Sequence, residues 1–375
     1  MNPKIEKVEV FGVAVPLIGE YKNAYKSKSI QKSAVVRITA TGGAVGLGNI
    51  DPSPGYSMET IEQSLWVLQQ TLAPAVMGMD PTNVHRVLEK IEPLIEGYHD
   101  AKAAIEMACV DLSARVAGMP VHAYLGGLMT DTVRFNAWIG ILPPDEAARE
   151  TKSWQDKGFR SCKIKVGGGI EADRDRVKAV REAVGPAFNI RIDANAGYDA
   201  DTSIKLSRMV APFKLQLYEQ PVPFDDLAGM ARVRREANAL GLPIMADESV
   251  LDHASLINII KADAADIVKV KVMKQGGFLN TRRMIATAEA AGIRCVVGHG
   301  FGLGINTMAE IMCAATSKNV IEGLECVGPL KTSDDIVTQK IDMSSGSLSV
   351  PGGLGLGVTL DEAKIAQYRF EIIRP

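Results

Sequence analysis

The chain has 375 residues, 46% of them hydrophobic and 23% charged, with a formal net charge of −2. Its length exceeds the size at which a single core stops growing, which calls for two domains, one of them large. The near-neutral balance leaves no basic footprint for nucleic acid or an acidic membrane surface, and no stretch has the apolar length of a membrane span.

Residues 5 to 16 alternate apolar and polar side chains and Ala34 to Thr39 does so again, so a small antiparallel sheet is expected to open the chain. Between them, Gly19 to Lys32 reads as a polar, lysine-bearing loop that carries Tyr21. Asn49 to Ser57, with Tyr56, reads as a second loop dense in turn residues. Helical periodicity follows over Met58 to Leu72, Pro81 to Ile95 and His99 to Ala117, with Asp80 the expected N-cap before Pro81. The five cysteines (Cys109, Cys162, Cys295, Cys313, Cys326) are odd in number, scattered and without a CxxC pair. They read as reduced core residues, and with no signal-type apolar segment at the N-terminus they point to a cytoplasmic protein.

From about Thr132 short apolar strands alternate with amphipathic helices. The expected strands are 133–139, 161–166, 189–193, 215–219, 242–247, 265–272, 294–298 and 319–324, and the helices between them are 145–157, 171–184, 200–209, 227–240, 254–260, 279–291 and 305–316. Eight such units over roughly two hundred residues have the rhythm of a (β/α)8 barrel, with a doubly wound open sheet as the structural competitor. The segment from Gly352 onward leaves this rhythm and is expected to return to the first domain. The expected division is 1–128, 129–350 and 351–375.

The strand ends carry the chemistry. Lys163-Ile164-Lys165 sets two ammonium groups on one face of the second strand. The next three strands end on acids, Asp193, Glu219 and the pair Asp247-Glu248, and the sixth ends near Lys271. Barrel active sites sit at the C-terminal ends of the strands, so these side chains should converge. A lone acid there is more often a helix N-cap, and a lone Lys-x-Lys more often an edge feature. The ordered succession is what points to a site. Converging carboxylates need a cation, and oxygen donors without His or Cys favour a hard ion, Mg2+ or Mn2+. Neighbouring strand residues face opposite ways, so only one of Asp247 and Glu248 should point inward, and pattern alone leaves the choice open.

This assembly suits removal of a proton α to a carboxylate, with the dianionic enediolate stabilised where its charge develops. A divalent cation on the substrate carboxylate supplies Lewis acidity. A lysine base must be neutral, and a neighbouring ammonium or desolvation lowers its pKa. Lys163 beside Lys165 provides that push, with Lys271 facing the other side of the substrate.

Several motifs extend the pattern: Asp100-Ala101-Lys102-Ala103-Ala104-Ile105-Glu106, Gly118 to Gly127, Asp193-Ala194-Asn195, Glu219-Gln220-Pro221, Ala246-Asp247-Glu248-Ser249, Lys271 with Lys274-Gln275-Gly276-Gly277, and Pro351 to Gly357. In these the chain resembles the enolase superfamily, within it the mandelate racemase/muconate lactonizing group and its muconate cycloisomerase subgroup. The resemblance implies a modified (β/α)7β barrel under an N-terminal α+β capping domain. It implies Mg2+ on Asp193, Glu219 and Asp247, Lys165 as acid/base with Lys163 tuning it, and Lys271 on the opposite face. A glutamate matching Glu325 lines the site in that subgroup, while the Asp-x-Asp of dipeptide epimerases is absent. His299 reads as a substrate neighbour or a loop residue, and Lys271 argues against a His-based branch. Asn195, Glu248, Tyr21 and Tyr56 complete the candidate contacts.

Three positions depart from the pattern. Asn49 replaces a glutamate, Tyr21 replaces a histidine of the first capping loop, and Lys269 adds an inward-facing lysine, read as the partner of a structural carboxylate such as Glu248 or as attraction for a second anionic group on the substrate. The expected activity is a cycloisomerase of muconate type or a racemase/epimerase of an amino-acid derivative. An acid dehydratase on the same site is the second reading and a non-catalytic binding protein the third. The expected partner is a small carboxylate, and relatives of this kind form dimers or octamers.

Overall fold

The structure, a computed structural model, describes residues 2–22, 27–53 and 57–371. The N-terminal part is an antiparallel sheet of β1 (Ile5–Lys22), β2 (Ser27–Ala40) and β3 (Val45–Ile50), followed by α1 (Ile61–Val67), α2 (Ala73–Val76), α3 (Val84–Ile91), α4 (His99–Val116) and α5 (Val121–Tyr124). The segment expected to be a loop from Gly19 to Lys32 is instead largely strand: Tyr21 pairs with Lys28 and Lys22 with Ser27, after a register shift beyond Pro16. Backbone pairing across the hairpin overrides the turn-like composition of this stretch. Tyr56 and the side chain of Tyr21 lie outside the described residues.

Thr60 caps α1 through a reciprocal capping box with Gln63. The next long helix starts at Val84, not Pro81. Asp80 is drawn into a tight turn, where it accepts from the amide and hydroxyl of Thr82 at 2.9 and 2.7 Å. Helix α4 is buried along most of its length because it is pressed between the sheet and the barrel. Only glycine allows that approach: a Cβ on Gly46 would stand 2.0 Å from Ala108 O, and one on Gly48 1.9 Å from Ala104 O.

After β4 (Thr132–Arg134) the chain alternates β5 (Ala137–Ile139), α6 (Pro144–Asp156), β6 (Ser161–Lys165), α7 (Ile170–Val184), β7 (Asn189–Asp193), α8 (Ala200–Val210), β8 (Leu217–Glu219), α9 (Leu227–Asn238), β9 (Ile244–Ala246), α10 (His253–Lys261), β10 (Ile267–Val270), α11 (Phe278–Ala290), β11 (Arg294–Val297) and α12 (Gly304–Ala314). Strands β5 to β11 form one parallel sheet in sequence order. The expected eighth strand is a bridged segment, not a regular ladder. Cys295 pairs with Val320 on one side and Phe135 with Leu324 on the other, which closes the curled sheet. Gly323, at φ +88°, breaks the extended run where the Arg191 side chain passes, 2.6 Å from a Cβ built there.

Outward-facing Ile164, Ile192, Ala246, Val268 and Val297 belong to the main core beneath the helices, while Leu217, Met245, Ile267 and Val296 form a separate cluster inside the curl. Parity on each strand then sets the residues above this inner cluster. Past α12 come β12 (Ser347–Ser349), which pairs with β4, and α13 (Glu362–Tyr368). Finally β13 (Arg369–Phe370) joins the edge of β1.

Candidate active site

Register brings the charged strand ends to one level. Lys165 pairs with Asp193 and Asp193 with Glu219 across adjacent strands. Lys165 Nζ contacts Asp193 Oδ2 at 2.7 Å and also donates to Asn195 Oδ1. Lys163 Nζ reaches Asp193 Oδ2 (3.1 Å), Glu219 Oε2 (2.9 Å) and Glu325 Oε2 (2.5 Å). From the far side Lys269 Nζ reaches Glu219 Oε1 (3.1 Å), Glu325 Oε2 (2.5 Å) and Asp247 Oδ2 (3.5 Å), and Lys271 pairs with Asp247 Oδ1. The reading of Lys269 as a partner of Glu248 is therefore corrected: inward parity aims it at the acids of β8 and β9.

Asp247 shares the inward face with Met245, and Glu248 turns aside to accept from Asn195 Nδ2 at 3.0 Å. Burial pushes the Asp193 carboxyl up, but Lys165, Lys163 and Lys269 overcome it and hold it at about 2. Glu219 is pushed up to about 8 by burial and the neighbouring Asp193 charge, against Lys163 and Lys269. Burial also opposes ionisation of Asp247 and Glu325, yet the lysines around each hold both well below the ordinary carboxylate range.

His299 lines the cavity, and its backbone N donates to Glu310 Oε2 at 2.6 Å. Burial, then Lys271 and Lys28, drive its imidazole well below the usual range, so it is neutral, with Nε2 buried and unpaired by hydrogen bonds. Asn49 sits away from the cavity and joins the two halves of the chain, donating to Ala34 O at 3.1 Å and accepting from Asn306 N at 3.4 Å.

Sequence reasoning assigned no role to three contributors, although Gln220 and Lys274 stand in its motifs. Arg191, fully buried, bridges Glu325 Oε1 (3.1 Å) to the Gly323 carbonyl (2.8 Å), and parity with Asp193 was its signal. Gln220, at φ +36°, accepts from the amides of Asp247 and Ser249 and so ties the β8 loop to the β9 loop. Lys274 donates to Asp247 O at 2.8 Å, and burial and Lys271 bring its ammonium down to about 8.

Asp193, Glu219 and Asp247 offer only oxygen donors, the set a hard divalent cation takes, and Asp247 Oδ2 is buried without a hydrogen-bond partner. These acids fit such an ion. Among the described residues no three His, Cys, Asp or Glu side chains form a ready metal cluster, because the ammonium groups of Lys163 and Lys269 stand between the acids. Above them opens a cavity lined by Trp138, Lys163, Lys165, Lys269, Lys271, His299, Phe301, Glu325 and Lys331, among others.

A closed parallel barrel with acids and lysines at its strand ends, under an antiparallel cap, defines an enzyme of the enolase type. The comparisons narrow this further. The chain matches the mandelate racemase/muconate lactonizing enzyme N-terminal domain over residues 5–126 and the enolase C-terminal domain-like family over residues 146–364. It belongs to the mandelate racemase/muconate lactonizing enzyme family. It is 34% identical to L-Ala-D/L-Glu epimerase of Bacillus subtilis (95% of this chain, 96% of that protein). It is 32% identical to N-succinyl-L-Arg/Lys racemase of Bacillus cereus (99% and 100%) and 31% to muconate cycloisomerase 1 of Rhodococcus opacus (95% and 96%). The solved dipeptide epimerase of Enterococcus faecalis, complexed with Mg and the dipeptide L-Leu-L-Tyr, superposes with a TM-score of 0.90 at 31% identity (95% and 99%). No described helix is long and apolar enough to cross a membrane.

Proposed function

We propose that this protein is a racemase or epimerase that moves the proton α to a carboxylate on an amino-acid derivative. The observation that carries this reading is the order of the inner strands: Lys165 and Lys271 flank the three acids, one on β6 and the other just after β10, and both line one cavity. A proton taken by one lysine as its neutral amine can be replaced on the opposite face by a proton from the other lysine as its ammonium, which inverts the centre. Asp193, Glu219 and Asp247 would hold Mg2+, and the bound ion would supply Lewis acidity toward the substrate carboxylate. Lys163 and Lys269 hold positive charge beside the acids, Asn195 orients Lys165, and neutral His299 offers a hydrogen-bonding edge to the substrate. Relatives named for epimerase, racemase and cycloisomerase activity support the chemistry without choosing among its outcomes.

The test is α-deuteration of a library of amino-acid derivatives in D2O with Mg2+, followed by mass spectrometry and chiral separation. Lys165→Ala and Lys271→Ala should each lower exchange by about 100- to 10,000-fold for one enantiomer. Exchange that survives the double variant refutes the two-lysine assignment. A ring-closed isomer would indicate cycloisomerisation, and loss of water a dehydratase.

A further inference from the structure

Lys165 occupies the last position of β6, where the chain leaves the sheet through Val166-Gly167-Gly168-Gly169 before α7 begins at Ile170. The three glycines are exposed, and Gly167 (φ +119°) and Gly169 (φ +122°) take backbone angles that other residues rarely adopt. Such a run has no side chains to pack and much conformational freedom to lose, yet proton transfer needs the lysine beside it placed to a fraction of an ångström. Hydrogen bonds must do what packing cannot.

The holding groups come from two elements. Asp173 and Arg176, both buried in the first turns of α7, pair at 2.6 Å. Asp173 Oδ2 accepts from Gly167 N at 2.8 Å and from the Tyr198 hydroxyl at 2.5 Å. Tyr198, on the loop between β7 and α8, accepts in turn from Gly169 N at 3.0 Å. Arg176 Nη1 donates to the carbonyl of Lys165 at 3.2 Å, and its Nε to that of Leu142, in the loop after β5, at 2.6 Å. The backbone is therefore gripped on both sides of Val166, at the Lys165 carbonyl and the Gly167 amide. Burial and the bond to Asp173 push the Tyr198 phenol up to about 12, so it stays a neutral donor.

The loop that carries Tyr198 also carries Asn195, whose Oδ1 accepts from Lys165 Nζ. Asn195 (φ +44°) and Ala196 (φ +60°) are consecutive left-handed residues, a conformation that persists in non-glycine residues only where the surroundings over-determine it. One loop thus fixes Lys165 at its ammonium and, through Tyr198 and Asp173, at its root. The opposite lysine is held by a different residue: Lys271 N donates to Gln275 Oε1 at 2.6 Å, and Gln275 Nε2 donates to Val250 O at 3.1 Å.

We infer that Tyr198, Asp173 and Arg176 form a latch that positions Lys165 for proton transfer on its own face of the substrate and leaves Lys271 untouched. None of the three lines the cavity, so they act through the backbone of the lysine and are positioning residues. The inference rests on the two-lysine reading. A loosened latch lets Lys165 Nζ leave its place, and a misplacement of about 1 Å costs on the order of 100-fold in rate. The loss is confined to one enantiomer, the one whose α-proton faces Lys165.

It is tested on the full-length, Mg2+-saturated protein in D2O with the separate D and L enantiomers of N-acylated amino acids, with Lys165→Ala marking the enantiomer that depends on that lysine. For this enantiomer Tyr198→Phe should lower kcat of α-deuteration by about 10- to 100-fold, with KM and the exchange of the other enantiomer within about threefold of wild type. Arg176→Lys should show the same selectivity. Amide hydrogen exchange over residues 166–170 needs no substrate: the Gly167 and Gly169 amides should be protected in the wild type, and Tyr198→Phe should speed exchange at Gly169 by more than about 10-fold. Unprotected glycine amides in the wild type, or a selective Lys165→Ala beside a Tyr198→Phe that is silent or lowers both enantiomers alike, overturns the latch alone. A Lys165→Ala that lowers both enantiomers alike, or a wild type that exchanges none of the compounds, overturns the two-lysine reading and the inference with it.

Discussion

Asp51 gives a stability test of how the cap is fastened to the barrel. It is fully buried at the end of β3, where Oδ1 pairs with the hydroxyl of Ser33 and Oδ2 accepts from Nδ2 of Asn306, near the start of α12, at 2.9 Å. Burial outweighs these hydrogen bonds and the charge of Lys28, and pushes its pKa from 3.8 up to about 7. The folded state therefore keeps a proton that the unfolded chain gives up from about pH 4 upward. A raised folded-state pKa makes a stabilising contribution that is complete below 3.8 and is lost as the pH climbs to about 7. At about 1.4 kcal/mol per unit, the loss amounts to a few kcal/mol. Asp51→Asn keeps the shape, cannot ionise and removes this dependence. Denaturant unfolding of both proteins between pH 4.5 and 7.5 should show the wild type losing about 1–4 kcal/mol relative to the variant as pH rises. Parallel curves, or a relative gain by the wild type, would refute the argument that burial governs this carboxyl.

Two further outcomes follow from the site and its supports. Asp247→Asn should weaken Mg2+ binding, measured calorimetrically, by more than about 100-fold, since changes beyond the ligand shell alone cost 10- to 100-fold; affinity within threefold of wild type would remove Asp247 from the ligand set. Gly277→Ala puts a Cβ 2.2 Å from the Glu106 carboxylate, at φ +108°, where Glu106 of α4 accepts from the amides of Phe278 and Leu279 that begin α11. Strain and overpacking together should cost about 2–5 kcal/mol in urea unfolding, and a loss under 1 kcal/mol would show that the cap does not grip α11 there.

The barrel was legible because parallel strands buried on both faces read as apolar runs of fixed length. Strand β6 begins at Ser161 as expected, and α11 differs by one residue at each end. The acids and lysines were legible for the same reason, since charge at the end of such a run has few structural uses. The β1–β2 hairpin was not: its tip composition favours a loop, and pairing is decided by a partner strand and a register shift that no local pattern carries. Arg191 was within reach, because Ile-Arg-Ile-Asp gives it the parity of Asp193, yet an arginine inside a barrel makes sense only once Glu325 is known to meet it. Lys331 was out of reach, since its place depends on how the chain folds back after the eighth segment.

The pairing pattern itself favours a two-way reaction. Lys165 grips Asp193 and Lys271 grips Asp247, so each outer lysine is held by one outer acid. Lys163 and Lys269 share the middle acid, one on each oxygen of Glu219, and meet again on Oε2 of Glu325. The main ion pairs match on the two sides of Glu219 and Glu325, with Lys274 an added contact to Asp247 on one side and Asn195 to Lys165 on the other. Burying so many ions is no route to stability, because desolvation costs several kcal/mol per ion and pairing at best offsets it. What such an arrangement secures is position: each lysine is anchored through strands of a closed sheet. An elimination needs one base on one face and a distinct acid for the leaving group, and gains nothing from matched halves. Inversion at carbon needs the same proton affinity on both faces, whichever enantiomer arrives, and matched halves are the simplest way to build it.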